Sequence, residues 1–378
     1  MNNEARILIT GDFCPINRIS DLISNNNSGA VFNDFLPIIK ENDLAITNLE
    51  SPLTIIEKRI NKTGPAFKAP LDTAKALSNA GFKLVTLANN HIMDYGISGL
   101  KSTLQACKNN DIDYVGVGEN YSEARQVYYI GVEGHNIAIL NFTEDEFSTT
   151  HGNFPGANPI DPVINYNDIV HAKAKSDYVI VIVHSGHEYF DLPSPRIKKT
   201  YRFFADAGAD AILGHHSHYY SGFEIYKNVP IFYGLGSFVF DSPKHSSPAF
   251  NSGFAIELIL GNKLTYNIIP YWQCNLNIGI ELMNGNGKEL FYNNIERLNH
   301  IIADDTLINI EFKNYCRRVS KMYFSLLEPH SNRLIHFLQN RKFLPSLLSK
   351  RKRNIYLNLM RCEIHKDVII NLLDSRDP

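Results

Sequence analysis

The chain has 378 residues, 44% hydrophobic and 20% charged, with a formal charge of −2. That balance suits a folded protein with a large core and excludes a general polyanion-binding role, nucleic acid included. No apolar run reaches 18 residues, so no transmembrane helix is expected. The start, MNNEARILITGDF, has neither a basic leader nor an apolar signal core. The five cysteines, Cys14, Cys107, Cys274, Cys316 and Cys362, show no C-x-x-C spacing, so reduced thiols and a cytoplasmic location are expected.

In chain order, Arg6–Thr10 reads as a strand, Val31–Lys40 as a helix and Leu44–Thr47 as a strand. Thr73–Ala80 is helical and stops at Gly81, a suitable C-cap. Lys83–Leu87 is a strand and Gly99–Asn109 a helix. Ile137–Asn141 and Tyr178–Val183 are strands, Lys198–Ala207 is a helix closed by Gly208, and Ala211–Leu213 is a strand. This alternation predicts a layered α/β fold. Val229–Tyr233, Phe254–Leu260 and Thr265–Pro270 follow without helices, so part of the sheet is expected to be antiparallel. Beyond about residue 285 the periods become helical: Glu289–Ile302, Thr306–Leu327, Asn332–Gln339 and Lys352–Leu373. The expected division is a catalytic α/β domain over 1–284 and a helical extension over 285–378. Residues 301–378 carry 14 Lys and Arg against 8 Asp and Glu, and the remainder 23 against 31. The basic run Lys350-Arg351-Lys352-Arg353 reads either as a solvated helix face or as a patch for an anionic partner.

Polar residues collect where strands end. Asp12 follows the first strand, and Asn48 and Glu50 follow the second. Asn89, Asn90 and His91 follow the third. His184 and Glu188 close another, and His215, His216 and His218 a fifth. Open α/β sheets bind ligands outside the carboxyl ends of their strands. Imidazole, carboxylate and amide oxygen together suit a borderline divalent metal such as Mn, Zn or Fe.

The series GD, NLESPLT, FKAP, LANNHIMDYG, HSGHEY, GHHSH and FYGLGSFVFD resembles the CapA family, associated with capsule and poly-γ-glutamate synthesis. The resemblance covers about residues 5–245. It implies a calcineurin-like metallophosphoesterase fold with one or two metal ions. On this resemblance Asp12 binds one metal and Glu50 bridges. Asn90, His184 and His216 complete the second site, and His218 completes the first. His91 becomes the acid or base, with Asp94 or Glu188 as its orienter. Lys68 resembles the family's basic loop position and would meet a substrate carboxylate or phosphate, equally well an exposed lysine; Arg18 has similar status. Asn48, Asn89 and His215 are candidates near substrate, with Asn48 able to orient the Glu50 loop and His215 able to support a ligand.

Three positions depart from the family pattern. Cys14 stands where related phosphoesterases carry the His of Asp-x-His, which leaves the first metal site short of donors. Ser185 replaces a Trp, and Ser237 replaces an Asn. The expected activity is a metal-dependent enzyme acting on a peptide-like or γ-glutamyl-type amide, an anionic substrate. Phosphoester hydrolysis, peptide epimerisation and a non-catalytic role in polymer assembly are the alternatives.

Overall fold

A computed structural model describes residues 4–275, 277–327 and 349–374, together with 334, 337, 338, 341 and 343. Its core is two sheets packed face to face. In the first sheet, strands Ala5–Cys14, Leu44–Leu49, Phe82–Thr86 and Asp113–Val115 run parallel in that order. Ser252–Leu260, Thr265–Gln273 and Ile280–Leu282 extend it antiparallel on the other side of Ala5–Cys14, and Ser237–Phe240 pairs parallel with the end of that strand. The second sheet has His135–Thr143, Tyr178–His184, Ala211–His215 and Val229–Phe232 in parallel. Tyr128–Val132 and Phe223–Tyr226 are its antiparallel edges. The expected mixture of parallel and antiparallel strands is present.

Period-two alternation produces the layers, because successive strand side chains point to opposite faces. Ile7, Ile9, Ile46 and Leu84 face inward and meet Ile139, Ile180, Ile182 and Leu213 of the other sheet. Leu8, Ala45 and Val85 face outward, under helices that contribute Phe35, Leu77 and Leu100. On the far side Leu140, Val181, Val183 and Ile212 lie under Ile169, Ile197, Phe204 and the C-terminal helices. The result is helix, sheet, sheet, helix. Both glycine stops hold: Gly81 and Gly208 take φ of 112°.

Two expected helices are broken. Val31–Lys40 is a short helix Gly29–Phe32, a 3₁₀ turn Asn33–Phe35 and a helix Leu36–Glu41. Asn33, at φ 42°, spends its amide on the carbonyls of Ile278 and Ile280 at 3.2 and 3.1 Å. Lys352–Leu373 divides into helices Lys350–Arg361 and Glu363–Asp374 about an extended Cys362. Asp305–Leu327 is a single helix. The Asn332–Gln339 helix falls largely outside the described residues.

The change of texture at 285 marks the start of helix Gly285–Ala303. Its Phe291 and Ile295 pack between the sheets, while Leu298 and Ile302 join the outer cluster of the second sheet. Hydrophobic contact is therefore continuous across that point. Among the described residues all five cysteines are free and buried, and no helix is long and apolar enough to cross a membrane.

Candidate metal centre

Five strand ends meet at one edge of the facing sheets. Asp12 lies two residues before the end of the first strand and follows Gly11, where an added Cβ would lie 1.9 Å from the Gly236 carbonyl oxygen. Only glycine permits that approach. The Asp12 carboxylate takes Asn48 Nδ2 at 2.7 Å and the His216 backbone N–H at 3.0 Å. Burial raises its pKa, but contact with His184 and the charges of His184, His215 and His218 outweigh this and hold it well below the usual carboxylate range.

His184 Nε2 lies 3.1 Å from Asn90 Oδ1, 3.1 Å from His216 Nδ1 and 3.5 Å from Glu50 Oε1. Four potential donor atoms from four strand ends thus surround one point. A second group, Asp12, Glu50 and His218, has its ligand atoms within 4.8 Å of one another. Burial pushes His184 and His218 down to about 3, as neutral imidazoles. A metal requires its histidines neutral. His216 and His218 both occupy left-handed backbone, with φ of 78° and 56°. Such conformations cost roughly 1–3 kcal/mol and cluster at functional sites.

The donor set fits a divalent cation, and Glu50 carries that test. Its side chain is fully buried, and neither carboxylate oxygen has a hydrogen-bond partner. Burial, and next the charge of Asp12, raise its pKa well above the ordinary value. An uncompensated buried carboxylate costs several kcal/mol, and a cation removes that cost.

His91 diverges from Asn90. Asp94 Oδ2 meets His91 Nδ1 at 2.6 Å, and the other Asp94 oxygen pairs with Lys62, a lysine only 4% exposed. Residues 90–95 form turns, with the helix starting at Gly96. Glu188 is exposed on the cavity wall, so the contact to His91 comes from Asp94. Burial, then the Lys62 charge, lower the His91 pKa.

Five other candidates turn away from the cavity. Lys68 is held by Glu57 at 2.7 Å and Arg18 by both oxygens of Asp241. Asn48 bridges Asp12 and His184 Nδ1, and Asn89 donates to Asn48 and to the Leu49 carbonyl. His215 spends Nε2 on the Thr10 carbonyl at 3.1 Å, with Nδ1 4.0 Å from Asp12. These partners tie Asn48 and Asn89 to the strand-end residues, and His215 joins Asp12 and His184 in a further potential ligand group. Cys14 packs with Phe240 and Phe250 and joins no potential ligand group among the described residues. Ser237 Oγ, at the departed Asn position, stands 3.2 Å from His218 Nδ1.

Sequence reading passed over Lys62 and Glu144. Glu144 follows strand His135–Thr143 and touches His216 Nε2 at 2.5 Å, without hydrogen-bond geometry. Burial works to lower His216, but Glu144 pushes it up to about 10, so an ion bound through Nδ1, which faces His184, would displace the His216 proton. The strand-end rule applied to Ile137–Asn141 would have found Glu144. No local pattern marks Lys62.

Beside this centre lies a cavity of about 800 Å³, lined by Lys62, Asn90, His91, Glu188 and His216 on one side. Tyr315, Tyr323, Arg351 and Asn358 of the C-terminal helices line the other.

A family model described as bacterial capsule synthesis protein PGA_cap matches residues 6–242. The chain is 35% identical over 250 residues to "Capsule biosynthesis protein CapA" of Bacillus anthracis, covering 64% of this chain and 61% of that one. It is 34% identical over 236 residues to "PGA biosynthesis protein CapA" of Bacillus subtilis (strain 168), covering 61% and 62%. It thus spans under two thirds of the length of these relatives. Among solved structures, 5'-nucleotidase from Candida albicans SC5314 superposes with a TM-score of 0.42 at 12% identity, over 70% of this chain and 50% of that one. The matched residues 6–242 contain every strand end that meets at the centre, and the chain belongs to the bacterial capsule synthesis PGA_cap family.

Proposed function

We propose that this chain is a metal-dependent hydrolase that cleaves a γ-glutamyl-type amide in an anionic, peptide-like substrate. The observation that carries the reading is the Lys62–Asp94–His91 chain, whose Lys62 and His91 line the cavity with Asn90, while the unpartnered Glu50 lies buried against His184. Capsule and PGA biosynthesis, named for the two relatives, supply the substrate class.

Asp12, Glu50, Asn90, His184, His216 and His218 would hold one or two ions of Mn, Zn or Fe. Such an ion polarises a carbonyl and lowers the pKa of water. The remaining work falls to His91. A carboxylate only accepts hydrogen bonds, so Asp94 fixes the proton on Nδ1 and leaves Nε2 as the base. His91 Nε2 takes a proton from the attacking water and returns it to the departing amide nitrogen. Lys62 pairs with Asp94 Oδ1 and holds the carboxylate in place, and the Phe67 N–H donates to Oδ2 at 2.8 Å.

The test is elemental analysis of the purified chain, then assay of γ-glutamyl amides and of phosphoesters with and without the metal found. Metal-dependent amide cleavage is expected. Phosphate release without amide cleavage would replace the substrate class. A metal-loaded protein inert toward both would leave the assembly role standing in place of catalysis.

A further inference from the structure

A second cluster of metal-ligating side chains lies on the cavity wall, away from the strand ends. Glu146 comes from the loop after strand His135–Thr143. Cys362 and His365 come from the elbow between helices Lys350–Arg361 and Glu363–Asp374. Cys362 and His365 are both zinc-ligating residue types, and the break at Cys362 followed by the first turn of helix Glu363–Asp374 brings the two side chains together. The ligand atoms of Glu146, Cys362 and His365 lie within 4.8 Å of one another. Glu146 Oε1 is 3.4 Å from His365 Nε2 and 3.9 Å from Cys362 Sγ.

Two further features mark this as more than a chance grouping. The far nitrogen of His365, Nδ1, meets the Tyr323 hydroxyl at 2.7 Å. A metal-binding histidine is oriented in this manner through its other nitrogen. The Cys362 side chain is fully buried in the outer cluster of the second sheet, with its sulfur 3.9 Å from Glu146 Oε1.

We propose that Glu146, Cys362 and His365 bind one zinc-class ion that staples the C-terminal helices to the core loop, with its fourth position open to the cavity. Thiolate and imidazole select zinc over magnesium or calcium. Binding releases the Cys362 thiol proton, and the thiolate and Glu146 charges then balance the ion. The backbone is already gathered for it. Arg361 donates to the Glu146 carbonyl, and the Asp145 N–H reaches Glu363 at 3.4 Å.

The experiment loads the full chain with cobalt(II), a zinc surrogate, and reads the thiolate-to-cobalt charge-transfer absorption. The expected result is a band in the wild type that disappears in Cys362→Ser and persists in Cys14→Ser. It should also persist in the His184→Ala/His216→Ala double variant, which removes donors of the strand-end centre only. Zinc content should fall by one equivalent in His365→Ala, with an unchanged circular dichroism spectrum. A wild type without the band, or a band that survives Cys362→Ser, overturns the site.

Discussion

On the proposed reading, Glu50 couples the stability of the fold to the bound ion. Its carboxylate is fully buried and has no donor. A ligand bound only by the native state adds roughly 2.7 kcal/mol at a hundredfold excess over its dissociation constant. Chelation should therefore lower the melting temperature, and Glu50→Gln should shrink that loss because the amide carries no charge to strand. A scan in which chelation lowers both variants equally would detach Glu50 from the metal. His91 and Asn90 are adjacent, but their contacts separate them. Asn90 Oδ1 touches His184, while His91 is tied to Asp94. His91→Ala should retain the metal and lose roughly 10²–10⁴ in turnover; Asn90→Ala should weaken metal retention first. Measuring rate and metal content on both variants settles it, since the reverse pattern exchanges their roles. Residue types carried much of this. Histidines and amides at strand ends are poor strand formers, so their presence pointed to a site. Lys62 lacked any such signal, because its meaning depends on Asp94, 32 positions away.

Strands were the more legible elements. Their alternation or continuous apolarity follows directly from burial on one or two faces, and the expected strand positions match the sheet order closely. Helix breaks were not legible, because their causes are distant. Asn33 is pulled out of helix by carbonyls some 245 residues on, and the elbow at Cys362 by the loop at Glu146. Neither partner is visible in a local window. Lys68 and Arg18 illustrate the same limit: a basic residue in a loop reads as a substrate anchor until Glu57 or Asp241 is seen to occupy it. Helix Gly285–Ala303 is a seam element, with Leu298 fully buried against the second sheet's outer cluster. Leu298→Ala should cost about 2–5 kcal/mol in denaturant unfolding. A loss well under 1 kcal/mol would show that this helix packs loosely.

At the scale of the molecule, the helices after 285 form the far wall of the cavity. Asp367 of the last helix is pinned by Arg196 at 2.7 Å and Ser194 at 3.2 Å, and His187 Nε2 lies 3.0 Å from the Ile364 carbonyl oxygen. On the proposed reading, Tyr315→Ala and Asp367→Asn should raise KM while metal content stays constant. Steady-state kinetics beside elemental analysis checks this, and a change in metal content with KM unmoved would place the wall outside substrate binding. Sequence indicated the helical texture of this region. It could not indicate the wall, since placing helices against a cavity takes contacts between residues such as Asn61 and Asn354.

The position of the last two helices at the end of the chain also orders events in time. A chain is synthesised from its N-terminus, and domains fold as their parts become available. Every strand-end donor, from Asp12 to His218, precedes the residues that roof the cavity. The basin that receives the ion is therefore complete while its far wall is still unmade. On the proposed reading, an ion would load from open solvent at that stage, and packing of the last two helices would then shelter it.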